Sequence, residues 1–369
     1  MLAHEACYRG PEVRPETLPG LSTRAMDRDR RSLSLWAYDL EAPSFRHRLG
    51  HLVPLLEARG WQCQVERLPK RRYLRRMLAR RTQLRSAEVL VLSKLKLTPA
   101  EGCLLRRWAR RIVFDFDDAI HIRRPRAPGL EPDRSWLRRY KFGYTCGLAD
   151  LVVAGNPVLA AEAAPHARRV EVVPTPVDLE RYPEPGATAR EPHTLVWIGM
   201  PENLAYLELI HPALARLAAR YPELRLRVVS SACPDWSDVP LVARPWSEAT
   251  ETEALASAGI GLMPLSDDEW TRGKCAFKLL QYMAAGLPCV ASPVGANREA
   301  VLDGVTGYLA AGSSDWELAL EKLLDSPQHG RELGDAGRER VRQHFDRRVV
   351  APRLVALLEE VAGGQSPSR

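Results

Sequence analysis

The stretch GKCAFKLLQYMAAGLPCVASPVGANREAVLDGVTGYLA, Gly273 to Ala310, decides the fold. It reads as loop, helix, strand, loop, helix and hairpin. An acidic polar loop, SDDEWTR, leads to Gly273. Ala276 to Ala285 has helical spacing, with Phe277, Leu280, Met283 and Ala284 on one side. Gly286-Leu287-Pro288 stops the helix, and Cys289 opens a buried strand. A helix entered from a glycine-bearing loop presents unpaired backbone N–H groups and the positive end of its dipole. That end suits phosphate. Lys274 and Lys278 add full charge beside it. The entrance Gly273-Lys274-Cys275-Ala276-Phe277 with Lys278 is the candidate cradle for a diphosphate.

Outward from this stretch, strand and helix patterns alternate through two halves. The first half gives strands at Ser32–Tyr38, Cys63–Leu68, Ala87–Ser93, Arg111–Asp118 and Asp150–Gly155, and Val170–Asp178 closes it. Helical patterns lie between them, at Arg46–Arg59, along the basic run Lys70–Arg85, from Pro99 and over Pro132–Gly147. The Pro- and Gly-rich segment Arg181–His193 reads as a linker. The second half restarts with strands at Thr194–Gly199, Leu224–Ser230, near Leu241 and Gly259–Leu265. Helices are expected to Arg220, over Ser247–Ala258, Asp315–Leu324 and Gly330–Phe345, and last over Val349–Val361. Such alternation means parallel sheets with helices on both faces and right-handed crossovers. The expected division is residues 1–31 disordered, 32–180 a first domain, 181–193 a linker, 194–345 a second domain, and 346–369 a final helix and tail. Met26 is a candidate true start.

Composition narrows the class. The chain has 369 residues and 45% apolar content, enough for two cored domains. It has no apolar run long enough for a membrane helix and no secretory leader pattern. Seven scattered cysteines without a CxxC pair argue against a disulfide framework or a zinc site. A reducing cytoplasm is the simplest expectation. Residues 1–180 hold 33 Lys/Arg against 21 Asp/Glu, whereas the remainder holds 20 against 25. The densest run, Lys70–Arg85, is either a solvated helix face or a contact with an anionic membrane at its inner face. It lacks aromatic interleaving and any nucleic-acid motif, so no nucleic-acid partner is expected.

The arrangement resembles the GT-B glycosyltransferases, in particular the large retaining group, family 4, that uses nucleotide sugars. The family reads close to LLEAMAAGLPVVAS where this chain has LLQYMAAGLPCVAS, followed by PVGANRE. DLVVAGNPVLA with VVPTPVD resembles the family's inter-domain region. The resemblance implies an α/β GT-B fold, with two Rossmann-like doubly wound domains facing across a cleft. It implies that the second domain holds a UDP- or GDP-linked sugar, without a metal or other cofactor, and that the last helix crosses back to the first domain. In the family, two Glu separated by seven residues contact the sugar and the ribose. Here those places are Gly273 and Gln281, and Asp267, Asp268 or Glu269 are candidates to replace the missing carboxylate. The family's Arg and Lys after the first strand of the second domain are absent from GMPENLAYL, where Asn203 is a candidate helix cap. Glu299 matches the family's Glu after the glycine loop, and Gly295 lets the chain turn sharply or pass close to the nucleotide.

The strand RIVFDFDDAIH ends in Asp115, Asp117 and Asp118. Carboxylates beyond a strand's carboxyl end sit where ligands bind in open α/β sheets. By position, Asp117 and Asp118 take the place of the family's His-Asp pair. Asp117 is thus the candidate to position the acceptor hydroxyl or accept its proton. The plainer alternative pairs these Asp with Arg123 and Arg124. A DxD strand end also opens haloacid-dehalogenase-type phosphatases, but Ala119 stands where those need Thr or Val. In the loop AYDLEAPSFRHR, Arg46 and Arg48 are candidates for the donor phosphate or an anionic acceptor. The expected activity is retaining transfer of a sugar from a nucleoside diphosphate to an acceptor hydroxyl of a glycan or lipid-linked molecule. The leaving phosphate would take the proton. A non-catalytic nucleotide- or partner-binding protein of the same fold is the alternative.

Overall fold

The computed structural model describes residues 31–69, 73–184 and 186–364. The segment expected to be disordered lies outside them, except Arg31. Strands β1 (Ser32–Ala37), β2 (Gln62–Arg67), β3 (Val89–Ser93), β4 (Arg111–Phe116), β5 (Leu151–Ala154) and β6 (Val170–Val172) form one parallel sheet, ordered β2-β1-β3-β4-β5-β6. Strands β7 (Thr194–Ile198), β8 (Arg225–Val229), β9 (Leu241–Arg244), β10 (Ile260–Met263), β11 (Cys289–Ala291) and β12 (Tyr308–Leu309) form a second, ordered β12-β11-β10-β7-β8-β9. Both are doubly wound, as expected of two Rossmann-like domains.

The central strands of each sheet are buried on both faces and read as near-continuous apolar runs, whereas the edge strands β2 (QCQVER) and β9 are largely polar or exposed. In β4, Ile112, Phe114 and Phe116 join the core beneath the helix Trp136–Leu148, while Val113 faces the opposite core. Asp115 shares the Val113 side because side chains alternate. The last helix, Arg347–Gly363, returns to the first sheet. Its Val350, Leu354, Val355 and Leu358 pack on Leu33, Val89, Val91 and Val113. Each such side chain contributes about 1.5–3 kcal/mol on burial.

Four local expectations change. The segment Arg46–Arg59 is split into a π-helical turn, Arg46–Gly50, and a helix, Leu52–Ala58. The basic run divides at Arg80 into helices Tyr73–Ala79 and Arg81–Ser86. The acidic loop holds a short helix, Glu269–Arg272, fixed by reciprocal capping between Asp268 and Thr271. The expected hairpin is a turn, closed by Gly304 N–H to the Gly307 carbonyl, followed by β12 running parallel to β11.

Candidate functional site

The carboxyl ends of the two sheets meet. Asn156, after β5, caps its own helix through the Leu159 amide. Its side-chain amide donates to the carbonyls of Gly273 (3.2 Å) and Lys274 (3.1 Å) across the cleft. The Cys275 thiol donates to the Asp117 carbonyl at 3.1 Å. Burial pushes that thiol well above its ordinary range. A Cβ on Gly273 would lie 2.7 Å from the Cβ of Ala119. Gly273 and Cys275 are therefore pieces of the domain contact. A side chain at 273 would crowd Ala119 and Leu159, so glycine suits this contact.

The helix Phe277–Ala284 begins where expected. Its N-cap, Ala276, is buried, left-handed (φ 52°) and supplies no side-chain cap, so the first-turn amides stay open to a ligand. Among the described residues only Lys94 and Ala276 are non-glycine residues at positive φ. Both line this cleft, as strained backbone at a site does. Lys278 lies over the Trp197 ring, 4.4 Å from its centroid. A Cβ on Gly199 would stand 2.5 Å from its Nζ, so glycine there leaves the lysine room. Burial first, then Lys274 and Arg124, pulls the Lys278 pKa down to about 7. Lys274 sits between the Tyr206 and Trp270 rings, 5.9 Å from each, and burial lowers its pKa too. Arg124 reaches over from the first domain to the Glu202 carbonyl. Among the described residues no carboxylate forms an ion pair with Lys274 or Lys278. Three cationic groups and an open helix end thus converge where a polyanion fits.

One turn along, Gln281 is buried and donates to Glu251 Oε1 at 2.6 Å, with the Tyr182 hydroxyl at 3.3 Å. Trp246 Nε1 donates to the other Glu251 oxygen at 2.8 Å. A carboxylate thus stands behind Gln281, delivered by the helix Glu248–Ser257. None of the three acidic candidates supplies it. Asp267 pairs with Arg272 (2.6 Å), Asp268 caps the short helix, and Glu269 pairs with Arg134 (3.0 Å) and Arg139 (3.4 Å).

On the first domain, Lys94 Nζ lies 2.5 Å from both Asp117 and Asp118. Burial opposes the charge of Lys94, but the two carboxylates outweigh it and raise its pKa. Asp117 and Asp118 are held side by side at the cleft rather than by Arg123 or Arg124. Arg48 lies buried behind the cleft, with Asp115, Asp117 and Cys275 close by. It is 1% exposed and grips Asp115 through Nε at 2.8 and 3.0 Å, with Nη1 on the Val173 carbonyl. Burial raises the Asp115 pKa to about 6 against the pull of Arg48. The Asp115 pair inside the first domain argues against the expected phosphate role of Arg48, although its Nη2 is buried without a hydrogen-bond partner. Arg46 does face the second domain, pairing with Glu248. His47, beside it, meets the Phe277 ring in a tilted contact with centroids 4.7 Å apart, and burial and then Arg181 lower its pKa to about 4.

Gly295 has φ 49°, and a Cβ there would lie 2.4 Å from the Arg272 carbonyl. It permits a backbone crossing. Glu299 sits exposed on the short helix Asn297–Ala300, its carbonyl accepting from Arg340. Ligand atoms of His121, Glu162 and Glu269 lie within 4.8 Å of one another. Arg134 and Arg139 already neutralise Glu269, so this group reads as an ion-pair cluster between the domains. Sequence reasoning missed Lys94, Arg124, Trp197 and Glu251, each brought in by another element.

Residues 192–326 match the family model described as "Glycosyl transferases group 1". Over 285 residues the chain is 30% identical to a D-inositol 3-phosphate glycosyltransferase of Thermobispora bispora, covering 69% of this chain and 66% of that enzyme. Across the first curated relatives the chain spans about half to two thirds of their length. Its fold is similar to sucrose-phosphate synthase of Thermosynechococcus elongatus (TM-score 0.67, 17% identity, 90% of this chain and 100% of that one). It is also similar to Anabaena Alr3699/HepE in complex with UDP and glucose (TM-score 0.66, 11% identity, 90% and 100%).

Proposed function

The chain belongs to the group 1 glycosyltransferases of GT-B fold, and we propose that it moves a sugar from a nucleoside diphosphate sugar to an acceptor hydroxyl with retention of configuration. The observation that carries this reading is the pair Lys274 and Lys278, unmatched by carboxylates among the described residues, at the open end of the helix Phe277–Ala284. A leaving diphosphate gains negative charge in the transition state. Fixed amides and ammonium groups aimed at it stabilise that charge without reorganising. The donor is UDP- or GDP-linked in this reading, and solved neighbours bound to UDP support it.

Gln281 and Glu251 lie one turn beyond the lysines and offer hydrogen bonds to the ribose hydroxyls. Asp117, steadied by Lys94, accepts from the acceptor hydroxyl and aims it at the anomeric carbon. The proton then passes to the departing phosphate as the new bond forms on the same face. The acceptor is a glycan or lipid-linked molecule held by the first domain. The contact of Gly273 with Ala119, where a sugar-contacting Glu is expected, favours a second reading: a binder that holds nucleotide without transfer.

A donor screen separates these. UDP-, GDP- and ADP-sugars are incubated with the protein without acceptor, and free sugar is measured. Slow hydrolysis of one donor supports transfer. Thermal stabilisation by UDP or GDP without hydrolysis supports the binder, and neither response removes both readings. Within the transfer reading, Asp117→Asn lowers turnover and leaves nucleotide affinity near wild type. Equal loss of both, by calorimetry and initial rates, would take Asp117 out of the acceptor role.

A further inference from the structure

Donor binding leaves one surface of the first domain unexplained. The helix Trp136–Leu148 buries Phe142, Thr145 and Cys146 in the core and turns other large side chains outward. Trp136 is 75% exposed, the most of any large apolar side chain among the described residues. Tyr140 (51%) lies one turn on, with ring centroids 6.5 Å apart. Leu137 (45%) is beside them, and Leu130 (52%) stands in the loop leading in. That loop is closed on itself by the Arg123–Asp133 ion pair and by the Arg123 amide on the Asp133 carbonyl. It presents Leu130 on a defined support.

The surrounding charge is one-sided. Residues 121–141 hold seven Lys/Arg against Glu131 and Asp133. Arg126, Arg138 and Lys141 pair with no carboxylate among the described residues. Exposed apolar clusters of this kind mark interaction surfaces. Trp and Tyr, with an apolar body and a polar tip, favour the boundary between hydrocarbon and headgroups. Lys and Arg favour anionic lipid there. A second copy would set positive charge against positive charge. A neutral glycan would leave the arginines unused, and a nucleic acid would leave Leu130 and Leu137 without a stacking role.

We propose that this face docks the protein on an anionic lipid surface. Trp136, Tyr140, Leu137 and Leu130 enter the headgroup layer, and Arg126 and Lys141 meet lipid phosphate. The basic run expected to do this is the rival surface: Arg75, Arg81 and Arg85 are exposed there and pair with no carboxylate among the described residues, but its described apolar side chains include no aromatic ring. Leu74 and Leu78 are exposed there, but Arg76 and Arg80 are both committed to Glu66. The docking does not depend on the sugar-transfer reading.

The test is co-sedimentation of the full chain with vesicles of phosphatidylcholine alone or mixed with phosphatidylglycerol, at low and high salt. Wild type is expected to pellet with the anionic vesicles only, and to be released by salt. Trp136→Ser with Tyr140→Ser should weaken that binding by about tenfold or more. Leu74→Ser with Leu78→Ser should leave it unchanged. Unaltered melting temperature in the first double variant shows that it is folded. The proposal falls if wild type stays in solution, if it pellets without vesicles or equally with neutral ones, or if only the Leu74/Leu78 variant loses binding. Failure of the donor screen with intact vesicle binding would remove the transfer reading alone.

Discussion

Lys278 has lost most of its ordinary preference for a proton, because burial strips water from its ammonium and Lys274 and Arg124 lie close by. A bound diphosphate reverses that. The anion favours the charged form, so the Lys278 pKa rises from about 7 on binding. Below pH 7 the free protein already carries the proton, and affinity from this group is at its full value. Above pH 7 binding must take a proton up, and affinity falls by up to about tenfold per pH unit until the bound pKa is reached. UDP titrations between pH 7 and 9 should show this slope and an accompanying proton uptake. Lys278→Ala should remove the slope and lower kcat/KM by roughly 100- to 1,000-fold, about 2.7–4 kcal/mol. Gly199→Ala tests the same geometry from the other side. Its methyl would sit 2.5 Å from Nζ and 2.6 Å from the Trp197 ring. The lysine must leave the ring and the buried Trp197 must shift with it, so UDP affinity measured by calorimetry should drop and the melting temperature should fall as well.

At the scale of elements, the inner strands were legible because they are short apolar runs, and the polar edge strands such as β2 (QCQVER) were placed by the strand–helix alternation around them. The helix Phe277–Ala284 was legible from its stop at Gly286-Leu287-Pro288 and its lysines. What sequence spacing does not carry is which loop faces which. Glu251 serves Gln281 from thirty residues away, and Lys94 reaches the β4 carboxylates from the end of β3. Arg48 looks like a loop arginine until strand alternation turns Asp115 toward it. Gly273 looks like a lost catalytic residue, yet glycine suits the contact with Ala119. Asn156 joins these levels, since its carbonyl oxygen caps one helix and its amide holds the entrance to another. Asn156→Ala should cost about 2 kcal/mol or more, combining a lost cap with two buried carbonyls left unpaired. Asn156→Asp keeps the cap and loses the donors. It also sets a buried carboxylate oxygen against the carbonyls of Gly273 and Lys274, so urea unfolding should rank it at or below the alanine variant, and its UDP affinity should fall at least as far.

Across the whole molecule, the two domains are joined by contacts of different kinds. The last helix returns to the first sheet through an apolar face, which salt does not weaken. The cleft is spanned by ion pairs. Arg46 meets Glu248, which the linker residue Arg181 also reaches, and Arg134 and Arg139 meet Glu269. Arg134 and Arg139 are largely exposed, so each pair contributes only about 0–1 kcal/mol and is screened by salt. The arrangement therefore predicts a hinge that stays attached while its mouth responds to ionic strength. Raising salt should widen the cleft without unfolding either domain, and scattering should report a larger radius of gyration at constant secondary structure. UDP should restore the compact form by drawing Lys278, Lys274 and Arg124 onto one anion. Glu248→Gln with Glu269→Gln should mimic high salt at low salt, with a raised KM for the donor and a kcat close to wild type. A radius that is constant with salt and unaffected by these substitutions would mean that the apolar and hydrogen-bonded contacts around Asn156 and Cys275 hold the cleft shut by themselves.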